Sequence, residues 1–193
     1  VSEALEAGTA ALTEVTGREH TELCRELART AVAAGRWTDA ERYLARAGGP
    51  EEPASAVVAA EAAFGQGRPE QARELAAAAE HSPDPEVRCS ALIVSGRCSA
   101  LSDLTASAHL FGRAAQLAAA HGLVQQRVEA LIGLGTCELM QANSSAALAE
   151  ARELAQSCGL LAHAVSIDVV RAEVAFTVAG PGFEEPDPFE IAE

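Results

Sequence analysis

The sequence predicts an all-α fold built from stacked antiparallel helix pairs. Three observations carry that expectation. Of the 193 residues 44 are Ala, and Leu, Glu, Gln and Arg supply much of the rest, so the strongest helix formers dominate. Val and Ile are scattered, with no sustained alternation of the strand type. Breakers recur at short intervals and leave segments of about 10–19 residues, the usual length of a helix in a globular protein.

Taken in order, the segments are 1–15, 18–34, 38–47, 54–64, 69–81, 85–101, 104–121, 124–142, 144–158 and 161–179. Thr16-Gly17 separates the first two, Gly35 the next, and Gly48-Gly49-Pro50 follows the third. Thr38 ahead of Asp39-Ala40-Glu41 has capping-box spacing. Pro69 suits a first helical turn, where its missing N–H costs nothing. Asp84 before Pro85-Glu86 and Asn143-Ser144 before the ninth segment are N-cap candidates. The stretch 181–193, with Pro181, Pro186 and Pro188 among five acids, reads as a tail or linker after a helical domain at 1–180. Phe183 or Phe189 in it is a candidate to dock on the array.

One register recurs four times. Ala40, Ala72, Ala108 and Ala147 sit near the starts of alternate helices, and twelve residues before each lies Ala28, Ala60, Gly96 or Gly135. Four residues earlier still stand Cys24, Ala56, Leu92 and Leu131. Small residues on both partners let two helices cross near 8 Å. A single hairpin cannot bury both faces, so successive hairpins stack. The register makes Ala108 a crossing residue of the third pair.

At these residues the chain resembles a tetratricopeptide (TPR) repeat. The best match is Gly35-Arg36-Trp37-Thr38-Asp39-Ala40-Glu41-Arg42-Tyr43-Leu44-Ala45-Arg46-Ala47, and Leu134-Gly135 is similar to the family's first-helix signature. The resemblance spans about residues 18–158 and implies a right-handed superhelix, a TPR-like α-solenoid. The large aromatics of the family's first helices are absent, the closing proline is missing or displaced, and the period drifts above 34. Ala-rich, degenerate repeats of this kind resemble the helical region of large actinobacterial LuxR-type ATP-binding transcriptional regulators. That likeness implies a fragment of a larger cytoplasmic bacterial protein. No phosphate-binding G-x-x-x-x-G-K-[ST] motif and no basic recognition helix are present. The start at Val1 and the single Met140 suit an excised or processed chain.

Composition narrows the chemistry. There is no Lys, and 14 Arg face 28 Asp and Glu, for a net charge of −14. Nucleic-acid binding needs clustered cations, which are absent. No apolar run approaches a membrane span. Cys24, Cys89, Cys98, Cys137 and Cys158 are odd in number and form no C-x-x-C pair, which speaks against a disulfide framework or a metal site. Cys98 and Cys137 share a register and read either as an oxidation-sensing pair or as buried fillers. The five His make no H-E-x-x-H, and there is no G-x-S-x-G. The expectation is a non-catalytic module with no cofactor.

Function is expected on the concave face, which first helices line in such arrays. One residue after each register position come Arg25, Val57, Ile93 and Ile132, then Arg29, Glu61, Arg97 and Thr136. From these, Arg25, Arg29, Glu61, Ile93, Arg97, Ile132 and Thr136 are the candidate partner-binding residues. Facing inward, they suit a protein or peptide with an acidic end, other domains of the same chain included. The alternative for Ile93 and Ile132 is packing against the next hairpin. The function implied is protein interaction or regulation, with a small-molecule inducer pocket as the alternative. Uncovered apolar faces on 1–15 and 161–179 would suit a homodimer.

Overall fold

The structure, a computed structural model, describes residues 2–142 and 146–179. Within them the chain forms ten helices and no strand: α1 (Ser2–Ala11), α2 (Gly17–Ala33), α3 (Trp37–Arg46), α4 (Pro53–Gly65), α5 (Pro69–Ala79), α6 (Pro85–Ser99), α7 (Leu104–His121), α8 (Val124–Ala142), α9 (Ala146–Ser157) and α10 (Leu161–Ala179). All ten expected helices are present. The first is shorter than expected. Its last turn tightens through Thr13 N–H to the Ala10 carbonyl and Glu14 N–H to the Ala11 carbonyl, and the helix ends at Ala11. The Asn143-Ser144 cap and the tail with Phe183 and Phe189 lie outside the described residues.

Each helix packs on the next in sequence, and each even-numbered helix also packs on the next even one, from α2 through α10. The odd-numbered helices make no backbone approach to one another. The array is thus two-layered, with α2, α4, α6, α8 and α10 side by side and the odd helices behind them. The turns inside the first two pairs close in the same way. Gly35 and Gly67 take positive φ (68° and 74°), and the next residue's N–H reaches back, Arg36 to the Ala31 carbonyl (2.8 Å) and Arg68 to the Ala63 carbonyl (2.9 Å). This left-handed closure satisfies the last-turn carbonyls.

Start signals vary along the chain. Asp84 accepts from the Glu86 N–H (2.9 Å), and Asp103 accepts from the N–H groups of Thr105 and Ala106 (2.9 and 3.0 Å). Thr38 does not cap. Helix α3 begins one residue earlier, and Arg36 Nε donates to Asp39 (2.6 Å) across the first turn. Glu41 instead pairs with Arg68, which ties α3 to the start of α5 and lowers the Glu41 carboxyl below its ordinary value.

The small-residue register sits at the crossings, with one correction. Ala28, Ala40, Ala60 and Ala72 are fully buried, and Ala147 nearly so. In the third pair the buried residue is Ser107, not Ala108, which is half-exposed. Ser107 Oγ donates to the Gly96 carbonyl (2.9 Å), eleven residues away rather than twelve. Aligning on alanine missed a polar residue of similar size. The ring of Phe111 then lies between α6 and α8. A Cβ on Gly96 would sit 2.9 Å from the ring, and one on Gly133 would sit 2.4 Å from it. Burying that ring contributes about 1.5–3 kcal/mol.

The array's ends differ. Leu5 of α1 and Leu12 just beyond it are buried, and Thr9 Oγ1 lies 2.7 Å from the Tyr43 hydroxyl, which ties α1 to the stack. Its exposed apolar residues among those described are the small Ala4, Ala7 and Ala10. Helix α10 does expose Leu161, Val165 and Val169. No helix among the described residues is long and apolar enough to cross a membrane.

Two pairs of substitutions test the crossings. Gly135→Ala places a Cβ 2.7 Å from the backbone nitrogen of Leu148 and should cost about 1–3 kcal/mol in chemical denaturation. Gly112→Ala, in open space within α7, should stabilise by up to about 1 kcal/mol. Likewise, Ser107→Leu should lower the melting temperature well below that of Ala108→Leu. The reverse order would restore Ala108 to the crossing.

Candidate binding groove

The even-numbered layer carries a groove of about 690 Å³. It crosses all five even helices, but not at one height. On α2 it meets the C-terminal half, at Arg29 and Val32, and it follows α4 along its length, through Ala54, Val57, Val58 and Glu61. On α8 and α10 it meets the N-terminal halves, at Gln125, Gln126, Glu129, Ile132, His163 and Ser166. Helix α6 contributes at both ends through Glu86, Val87, Ser90 and Arg97. Trp37, Phe64 and Gly65 close the α2–α4 end. The indole of Trp37 lies so near Gly65 that a Cβ there would stand 2.5 Å from the ring.

Along the groove Arg29, Glu61, Arg97 and Glu129 alternate in sign from one even helix to the next, His163 follows on α10, and α6 adds Glu86. Arg97 approaches Glu129 at 3.8 Å, and His163 Nε2 lies 3.7 Å from the same carboxylate. Arg29 turns to Glu26 on its own helix (2.7 Å). Glu61 has no hydrogen bond and no ion pair within 4 Å among the described residues. Burial raises the Glu61 carboxyl above its ordinary value. The Glu129 charge pushes the same way, while Arg97 and Arg29 act against both from a distance.

The expected site residues divide. Arg29, Glu61, Arg97 and Ile132 line the groove. Arg25 does not: its Nε donates to Ser55 (3.1 Å) and its guanidinium pairs with Glu52, so it clamps α2 to the start of α4. Ile93 is 1% exposed inside the core with Leu92, Phe111 and Leu131, out of a partner's reach. Thr136 returns its hydroxyl to the Ile132 carbonyl (2.7 Å) and is absent from the groove wall. Sequence reasoning passed over Glu129, His163, Trp37 and Phe64. The first two continue the spacing of Arg29, Glu61 and Arg97, with steps of 32 and 34 residues after Arg97. That beat was the available signal.

Four of the five thiols are packing groups. Cys24, Cys89, Cys98 and Cys137 are buried, and Cys158 is exposed. Burial, with Glu129 and Glu86 nearby, pushes Cys89 up to about 11, and burial also raises Cys24 and Cys98. Such thiols resist ionisation at neutral pH. Cys98 and Cys137 belong to separate core clusters, and Cys137 Sγ lies 3.3 Å from Ser107 Oγ. No group of three or more His, Cys, Asp or Glu among the described residues is arranged to hold a metal ion. No protein-family model matches the chain, and no curated protein matches it.

The raised Glu61 value gives a signed pH effect. The folded state holds this proton more tightly than the unfolded chain, whose value is near 4.5. The stability tied to the group is therefore complete below 4.5 and is lost as pH rises through the folded value. Glu61→Gln should melt higher than the wild type at pH 7, and the advantage should shrink as pH falls toward 4.5. A variant that melts lower at pH 7 would show that Glu61 is compensated in the fold.

Proposed function

We propose that the chain is a non-catalytic protein-interaction module whose even-helix groove holds an extended or helical peptide. The observation that carries this reading is the groove itself. It is continuous across five helices, and it alternates charge along its length over apolar ground from Val32, Val57, Val58 and Ile132. Neighbouring helices lie about 8–10 Å apart, close to three residues of extended chain. A peptide laid across the layer would meet each charged position in turn. The TPR-like superhelix is part of this proposal, supported by the two-layer packing and the recurring crossings. Membership of a larger LuxR-type regulator rests on the sequence resemblance alone. There the module would pass a partner's binding to distant domains.

The test is panning of a random 12-residue peptide library on the purified chain. Enriched peptides should change the emission of Trp37, the only tryptophan, which stands in the groove wall. They should fail to bind Ser90→Trp, which fills the groove. No enrichment, together with a small metabolite that raises the melting temperature by mass action, would favour the inducer-pocket alternative instead.

A further inference from the structure

The groove's charge count points to the chemistry of its occupant. Two guanidiniums, Arg29 and Arg97, stand among four carboxylates, Glu61, Asp84, Glu86 and Glu129. The balance is negative, the opposite of what an acidic peptide end requires. Most of these charges are engaged within the fold. Arg29 has Glu26, Glu129 has Arg97 and His163, and Glu86 accepts from Gln126 (3.2 Å). Glu61 is the exception, a half-buried carboxylate with no cation or donor in direct contact among the described residues. Such a group has lost water without full repayment, so a ligand cation that reaches it gains more than one at an exposed carboxylate.

The surroundings add a second requirement. Glu61 and Phe64 are one turn apart on α4, and Val57 and Val58 lie a turn below Glu61. Trp37 stands in the same stretch of wall, over Gly65. An aromatic face and a carboxylate in one apolar wall suit a long side chain with an alkyl stem and a cationic head.

We propose that Glu61 is the specificity determinant of the groove and selects a peptide with a lysine or arginine anchor, its stem on Trp37 and Phe64. The inference rests on the peptide-groove reading and adds the sign and identity of the anchor. Flanking apolar residues of the peptide would occupy Val57 and Ile132. Arg97, next along the ladder, opposes the same cation and so limits its affinity.

The experiment uses two soluble pools of capped 12-residue peptides, random except for a fixed central Lys in one and a fixed central Glu in the other. Binding is read from Trp37 emission on the full chain. The Lys pool should bind and the Glu pool should not. Peptides recovered from the Lys pool should lose about 10–100-fold in affinity on Glu61→Gln, the loss typical of a charged hydrogen-bond partner. They should bind more tightly to Arg97→Gln, a gain that a misfolded variant could not imitate. Equal or better binding of the Glu pool, or indifference of the Lys-pool peptides to Glu61→Gln, would overturn the anchor while leaving a peptide groove standing. Binding by neither pool would overturn both readings.

Discussion

The structure depends on how closely its helices approach one another. Where two helices cross, at least one backbone carries Gly, Ala or Ser, and the neighbour fills the space a larger side chain would take. Phe111 shows the constraint most fully: its ring fits between α6 and α8 because residues 96 and 133 have no Cβ. At the next crossing Gly135 meets Leu148, backbone nitrogen included. Packing this tight is non-directional in origin, yet it fixes geometry, because interiors are close-packed and shift little. A chain with few aromatics and much alanine can build a sizeable core in this way only by repeating the same contact.

The groove follows from that repetition. Setting five helices in one layer places one residue from each along a line, and charge can then be read out in sequence. The odd helices take the remaining contacts on the far side, and among the described residues no further helix covers the even layer's outer face. Electrostatics along the line is not uniform. Arg97, Glu129 and His163 form a linked set, Arg29 is turned to its own helix, and Glu61 keeps a carboxylate that its surroundings resist. In the proposed peptide complex, specificity would reside at Glu61, whose carboxylate the fold leaves without a close partner among the described residues.

Much of the fold was legible in the sequence because helix formers, breakers and crossings all repeat. Gly35 and Gly67 marked turns that close alike, and Ala28, Ala60, Gly96 and Gly135 marked crossings that are buried. What escaped was small in size and local in cause. Ser107 takes the crossing role one residue ahead of Ala108, and an alanine-rich helix offers no signal for a serine in that place. The site was less legible, since a fixed register assumes that the groove meets every helix at the same height. It meets α2 near its end and α8 in its first half, so Glu129 replaces Thr136. Ile93 and Ile132 looked equivalent by spacing, but only Ile132 faces the groove. Arg25 shares the register of Val57, yet Glu52 and Ser55 hold it at the edge of the pair.

The most direct test of the close-approach account is a double-mutant cycle between Gly133 and Phe111, read by denaturant unfolding. Gly133→Ala in the wild-type background meets the aromatic ring, whereas in Phe111→Leu the facing side chain is smaller and can move. The account predicts strong non-additivity, with the alanine costing at least about 1 kcal/mol less in the Phe111→Leu background. Additive effects within the usual few tenths of a kcal/mol would mean that α7 and α8 do not meet at that point, and the stacking register would then be wrong.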